Sequence, residues 1–331
     1  MVELNKHITI TDSELFATNI PPVNFVIQDL LPASGLAVIG GKPKMGKSLI
    51  MIDLGLAISS GGRFLNVFDV KASEVLYLAL EDTDRRMKAR IKKMIPDCPP
   101  SGRLHLAFSW DNQGHEAMSS LGSWLDAHQN VKIVIIDTIS RFSPSFSGVK
   151  YSDQYVNFAE LKKFADTRNI IVMIVHHLKK TKSNDPFEML YGSNAVAGAA
   201  DTIWILQRER GEPFATLQVS GRDIPDQFLS MKIDESLLCW TVIDPMTEKL
   251  IKREFLKVYN ILKTKGSVMS LTEISIASGF KKPVLSKYLH KLIEYEYVEK
   301  VGYGRYRIKN RRENERKEDK YASRSCPKLI Q

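Results

Sequence analysis

Apolar residues in this chain gather into short unbroken runs instead of alternating with polar ones. The runs are LAVIG at 36–40, VLYLAL at 75–80, LHLAF at 104–108, KIVIID at 132–137, IIVMIV at 170–175 and TIWIL at 202–206. Continuous Val/Ile/Leu segments of this kind belong to strands covered on both faces. Helical periodicity fills several of the gaps. SLIMIDLGLAISSGG follows the first run and stops at Gly61-Gly62, a glycine stop. DRRMKARIKKM follows the second run, and DQYVNFAELKKFADTRN precedes the fifth. The alternation predicts an α/β domain on a mainly parallel sheet. ATLQVSG at 215–221, LSMKID at 229–234 and LLCWTVI at 237–243 are closely spaced and predict hairpins added at the sheet edge.

The pattern changes near Leu250. REFLKVYNILKTKG reads as an amphipathic helix ending at Gly266. SLTEISIASGF reads as a short helix, with Ser270 and Glu273 forming a capping box. KKPVLSKYLHKLIEY, 281–295, gives a third helix, and YVEKVGYGRYRI gives two strands around Gly302 and Gly304. Three helices and a hairpin outline a winged helix-turn-helix. In its third helix Val284, Leu285, Leu289, Leu292 and Ile293 should pack inward. Lys281, Lys282, Ser286, Lys287, His290 and Lys291 should face outward, with Tyr303, Arg305 and Arg307 in the wing. The expected organisation is the α/β domain with a short N-terminal arm at 1–248, the winged helix at 249–309, and a charged tail at 310–331 without apolar periodicity.

Charge sharpens this division. Residues 249–331 carry 21 Lys and Arg against 9 Asp and Glu, a net +12, while the preceding 248 residues sum to −3. A near-neutral body with a strongly basic end points to a polyanion partner there, duplex DNA for a winged helix. The three cysteines, Cys98, Cys239 and Cys326, are widely spaced and form neither a disulfide framework nor a zinc motif. No apolar run is long enough to span a membrane, and the first residues lack the apolar core of a secretion signal. A cytoplasmic location is expected.

Gly41-Lys42-Pro43-Lys44-Met45-Gly46-Lys47-Ser48 matches G-x-x-x-x-G-K-[ST] at every fixed position. It follows a predicted strand and opens a helix at Leu49, the context the motif needs. Backbone N–H groups of such a loop wrap phosphates, aided by the helix dipole. Lys47 would neutralise the β- and γ-phosphates of ATP, and the Ser48 hydroxyl would bind Mg2+. Asp137, an acid closing an apolar strand, is the expected second Mg2+ partner, through water. Thr138 follows it, so no base stands beside that aspartate. Glu81, at the end of the strand VLYLAL, is the candidate base for polarising water. Asp82 or Asp84 suits an N-cap of the helix that follows. The adjacent His176 and His177 allow metal binding, acid–base work, ligand sensing or no role. Neighbouring residues on a strand point to opposite faces, which disfavours one shared ion.

GGKPKMGKS, LYLALEDTDRR, IVIIDTISRF, IVHHLKK and GSNAVAGAADTIWIL, in this order over about residues 20–245, resemble the RecA/DnaB class of ring-forming ATPases. More narrowly, they resemble the RepA-like hexameric helicases of plasmids and mobile elements. The resemblance implies a RecA-like P-loop core, a homohexamer with ATP between subunits, Glu81 as catalytic base, and single-stranded DNA in a central channel. His177 matches the place of a γ-phosphate sensor. Arg222, in the turn of LQVSGRDIPDQF, matches the position of a cation supplied to the neighbouring subunit. Relatives often carry two basic residues around this turn, and Ser220 stands where the other is expected. Arg208 and Arg210 are the alternatives. Arg86, with Arg85, stands where the family stacks on adenine. Two long polar stretches, 141–154 and 178–198, match channel loops. Lys179, Lys180 and Lys182, with Arg141 and Lys150, are candidate phosphate contacts. A primase or an initiator protein is a further candidate partner. Three readings stay open: a replicative helicase of a plasmid, phage or integrated element; a recombinase-like or regulatory ATPase that does not unwind; and a DNA-binding regulator using ATP as an oligomerisation switch.

Overall fold

The computed structural model describes residues 9–20, 22–110, 115–146, 151–177, 194–243, 253–294 and 297–309. A short helix α1 (Asp12–Ala17) precedes a ribbon of β1 (Phe25–Ile27) and β2 (Leu31–Pro32). Then come β3 (Gly35–Gly41), α2 (Lys47–Ser60) and a second ribbon, β4 (Arg63–Phe64) with β5 (Phe68–Asp69). They lead to β6 (Glu74–Ala79), α3 (Asp84–Met94), β7 (Leu104–Ala107), α4 (His115–Ala127) and β8 (Val131–Asp137). After α5 (Ile139–Phe142) follow α6 (Tyr151–Arg168), β9 (Ile171–His177) and α7 (Asn194–Ala199). The strands β10 (Thr202–Arg208), β11 (Phe214–Gly221), β12 (Gln227–Asp234) and β13 (Cys239–Val242) complete this part.

Among the described residues, nine strands form one sheet in the order β13-β12-β11-β10-β3-β9-β8-β6-β7. The six strands from β10 to β7 in that order run parallel. β11, β12 and β13 extend the edge as the expected antiparallel meander. Strand periodicity explains the unbroken apolar runs: in β3, Ala37 and Ile39 enter one core with α2, while Leu36 and Val38 enter the other with α4 and α6. Helix α2 is buried along nearly all its length, so it is apolar on every side. It ends where Gly61 adopts φ 72°, as the Gly61-Gly62 stop requires.

Local signals account for what the periodicity did not reveal. Helix α4 buries Ala117, Leu121 and Leu125 on one face, but its serines and Gly122 dilute the pattern. The cap of α3 is Thr83, whose hydroxyl accepts from the Arg86 N–H, and neither Asp82 nor Asp84 takes that role. Asp82 is instead an acceptor for the guanidinium groups of Arg86 and Arg90.

At the C-terminal end lie α8 (Arg253–Lys265), β14 (Met269–Ser270), α9 (Leu271–Ser278), α10 (Lys282–Glu294), β15 (Val298–Gly302) and β16 (Arg305–Ile308). Their strands form a separate sheet, β14-β16-β15. Val258, Leu262, Ile274, Leu285, Leu289, Leu292, Val298 and Tyr306 form its core. The Ser270–Glu273 capping box is present. Val284, expected inside, is 40% exposed: Leu285, Leu289 and Leu292 define the buried face, and the position before Leu285 turns about 100° away from it. None of the described helices is long and apolar enough to cross a membrane.

Candidate nucleotide site

The phosphate loop joins the end of β3 to the start of α2. Lys44 and Gly46 take left-handed backbone angles, φ 65° and 101°. A Cβ on Gly46 would lie 3.0 Å from the Trp240 ring, and one on Gly41 would lie 2.8 Å from the Leu206 carbonyl oxygen. Gly41 therefore demands glycine for space, and Gly46 for its angle, with the Trp240 ring in tight contact beside it. Met45 is buried and anchors the loop, and Leu49 packs against the core. Lys42, Pro43 and Lys44 are exposed. No side chain caps α2, so its first N–H groups stay available to an anion.

Around this loop the ends of β9, β8 and β6 bring four expected residues together. Lys47 is buried and donates to the carbonyl oxygens of Gly41 (2.7 Å) and Lys42 (3.1 Å) and to Nδ1 of His177 (3.2 Å). A lysine ammonium only donates, so His177 Nδ1 accepts and the ring proton sits on Nε2. Nε2 lies 3.8 Å from Glu81 Oε2. Burial, then the Lys47 charge, lowers the His177 pKa below the ordinary histidine value, which keeps the ring neutral. Glu81 lies in the turn beyond β6, not on the strand as expected, because the Asp82 N–H folds back to the Ala79 carbonyl oxygen. The Thr138 hydroxyl donates to Glu81 Oε1 at 2.8 Å, and Arg141 Nε lies 4.0 Å from the same oxygen.

Asp137 closes β8 and is 6% exposed. Tyr77, fully buried on β6, donates its hydroxyl to Asp137 Oδ2 at 2.9 Å. Burial raises the Asp137 pKa, opposed by hydrogen bonds from Ser48 and Tyr77. Hydroxyl and carboxylate thus meet at one point, and a hard oxygen pair completed by water and phosphate suits Mg2+. Tyr77 and Thr138 are the partners that motif reading missed. Tyr77→Phe removes a donor to a buried carboxylate and is expected to cost about 1–3 kcal/mol of folding stability. Chemical denaturation measures it; an unchanged midpoint means the bond contributes nothing.

Burial lowers the Lys47 pKa to about 8, against the opposing pull of Asp137 and Glu81. A bound polyphosphate raises it again, so nucleotide binding must take up a proton above that pH. Affinity should be level below pH 8 and then fall, by up to about tenfold per unit, as pH rises toward the bound-state pKa. Titration calorimetry in buffers of different ionisation enthalpy tests this. Proton uptake at pH 8.5 greater than at pH 7 is expected, and its absence contradicts a buried, depressed Lys47.

The remaining expected residues lie elsewhere. Arg86 Nε donates to Asp82 at 2.7 Å and its Nη2 to the Glu81 carbonyl oxygen at 3.1 Å. Arg208 donates to the Glu212 carbonyl oxygen at 2.6 Å and lies over Trp240, at the phosphate-loop end of β10. Arg222 is at the opposite end. It follows Gly221, which pairs with Thr202 beside Ala37 near the start of β3. A strand of this length spans about 20 Å, so Arg222 is remote from its own phosphate loop. Lys150, Lys179, Lys180 and Lys182 lie outside the described residues. Lys281, Lys282, Lys287 and Arg305 are exposed as expected, while Arg307 pairs with Glu299 at 2.6 Å.

A family model described as AAA domain matches residues 4–183, more than half of the chain. Proteins named DNA repair protein RadA are also similar. That of Streptococcus pneumoniae (strain ATCC BAA-255 / R6) is 26% identical over 204 residues, 61% of this chain and 42% of that protein. That of Bacillus subtilis (strain 168) is 24% identical over 204 residues, 61% of this chain and 39% of that protein. The chain spans less than half the length of these relatives. The matched segment contains the phosphate loop, Glu81, Asp137 and His177 on a mostly parallel sheet, and the chain belongs to the AAA domain family as a RecA-like P-loop ATPase.

Proposed function

We propose that this chain is an ATP-driven DNA motor that works as a ring of identical subunits, a hexamer. In this reading it is a helicase that moves on single-stranded DNA during replication of a plasmid, phage or integrated element. One observation supports it: the phosphate-loop residues and the arginine read as a cation for the neighbouring subunit lie at opposite poles of the sheet. Lys47, Ser48, Glu81, Asp137 and His177 share one pole, while Arg222 stands about 20 Å away at the other. Phosphoryl transfer needs a cation beyond the phosphate loop, and only a neighbouring copy brings Arg222 to that place.

The residues then divide the work. Lys47 and the loop amides hold the phosphates. Ser48 and Asp137 hold Mg2+, which when bound neutralises charge developing on the phosphate oxygens. Glu81, held by Thr138, orients the attacking water and accepts its proton. His177, neutral and carrying its proton on Nε2, senses the terminal phosphate, a few residues before Lys179, Lys180 and Lys182 in the sequence. The C-terminal elements act as a winged helix on duplex DNA, with Lys281, Lys282 and Lys287 toward the groove and Arg305 in the wing; the net charge of this end supports that use.

The similarity to RadA favours a second reading, a recombination or repair ATPase that remodels DNA without unwinding it. A strand-displacement assay with ATP decides. Displacement by the wild type supports the helicase. Hydrolysis stimulated by single strands without any displacement removes the helicase and leaves the second reading.

A further inference from the structure

Arg222 has partners at its pole. Its Nη2 donates to the Gly198 carbonyl oxygen at 3.1 Å, and its Nε lies 3.8 Å from Asp201 Oδ1. The side chain of Asp201 is only 12% exposed. Its Oδ2 accepts from the Leu36 N–H at 3.1 Å and from Lys162 Nζ at 2.5 Å. The Asp201 main chain also bonds to Leu36 and to the Arg222 N–H. Two glycines make room for it. A Cβ on Gly35 would fall 2.5 Å from Asp201 Oδ2, and one on Gly221 would fall 2.8 Å from the Asp201 carbonyl oxygen. Gly35, at φ 106°, is also in the left-handed region that favours glycine. Asp201 thus ties together the first residues of the phosphate-loop strand, helix α6 and the Arg222 turn.

Lys162 comes from α6 and also reaches Asp166 at 3.1 Å. Burial works against its charge, but the bonds to Asp201 and Asp166 outweigh it and raise its pKa. An ammonium has three N–H donors. Two are engaged with these carboxylates, which leaves one for a further acceptor. Tyr155, Lys162, Lys163, Asp166, Gly198 and Arg222 line an open cleft of about 230 Å³. Lys162, Lys163 and Arg222 line it against one carboxylate, Asp166, and it stays net positive when Asp201, the partner of Lys162 and Arg222, is counted too. Its volume is below the roughly 300–1,000 Å³ of a pocket that encloses a whole small ligand. It suits the protruding anionic end of a ligand held elsewhere.

We propose that this cleft receives the phosphate end of a nucleotide bound to the phosphate loop of a second copy of this chain. Lys162 is the second cation of the interface, and Asp201 is the positioning residue that holds Lys162 and Arg222 side by side. The proposal rests on the reading that Arg222 acts across a subunit boundary.

Mixed rings of full-length subunits test both and keep them apart. Lys162→Gln removes the charge but keeps a donor for Asp201. It should lower kcat at least about tenfold with KM for ATP nearly unchanged. Lys162→Arg should retain most activity. Mixed with Asp137→Asn subunits, Lys162→Gln subunits should regain activity, because random mixing puts about a quarter of interfaces in the productive pairing. Mixed with Arg222→Ala subunits they should regain none, since both lack the same face. The control is Arg222→Ala with Asp137→Asn. If the control fails, the boundary reading itself falls. If the control recovers while Lys162→Gln with Asp137→Asn does not, or if Lys162→Gln has wild-type kcat, the role of Lys162 is overturned. Lys162→Met repeats the test if the glutamine variant melts below the assay temperature.

Discussion

Glu81→Gln is expected to lower ATP turnover by about 10²–10⁴-fold, roughly 3–5 kcal/mol of barrier, with nucleotide binding close to wild type. The substitution is informative because of what it leaves in place. Oε1 accepts from the Thr138 hydroxyl at 2.8 Å, and an amide oxygen still accepts there. Lys47 is held by Gly41, Lys42 and His177, not by Glu81, so the phosphate site should survive. The basicity of the carboxylate is what disappears. Phosphate-release kinetics with a fluorescent-nucleotide titration measure both sides. Turnover near wild type would place the base elsewhere. Thr138→Val should have a smaller effect of the same kind, since it frees Glu81 without removing it.

Much of this site was legible along the chain, for physical reasons. A phosphate loop has a fixed spacing because its backbone must wrap the anion, and it must lie between a strand and a helix. Asp137 and His177 were visible as polar residues ending apolar runs. A strand buried on both faces has few other places for them. The order of runs gave the parallel sheet and its antiparallel edge, because the cover on each face sets the apolar pattern. Other residues act through distance in space, which leaves no periodic trace. Tyr77 is one more apolar-looking position of a buried strand until β6 is paired with β8 and its hydroxyl meets Asp137. Asp201 reads as a loop acid before β10, and Lys162 as one of many lysines on a polar helix face. Their meeting depends on β3 lying between β9 and β10, a neighbourhood set by topology. Gly35 carries the related trace, a glycine required both by its left-handed angle and by the carboxylate that fills the space of its missing side chain.

Arg222→Ala is expected to lower turnover by about 10³–10⁵-fold, the range for a cation delivered across an interface to a transferring phosphate. Three explanations for this arginine predict different combinations of measurements. A solvated arginine, and its side chain is 59% exposed, predicts no loss. A structural arginine predicts that turnover and melting temperature fall together. Asp201 keeps the Leu36 N–H and Lys162 when Arg222 is removed, so its carboxylate is not stranded and the fold should hold. A cation acting on the neighbour predicts lost turnover at unchanged melting temperature and unchanged nucleotide binding, because the phosphate loop lies at the other end of β3. It also predicts a concentration signature. Specific activity of the wild type should rise with subunit concentration as interfaces form, while that of Arg222→Ala should stay flat. A wild type whose specific activity is constant through the range in which subunits associate would require a site complete within one chain, and with Arg222 about 20 Å from Lys47 that site would have to find its cation elsewhere.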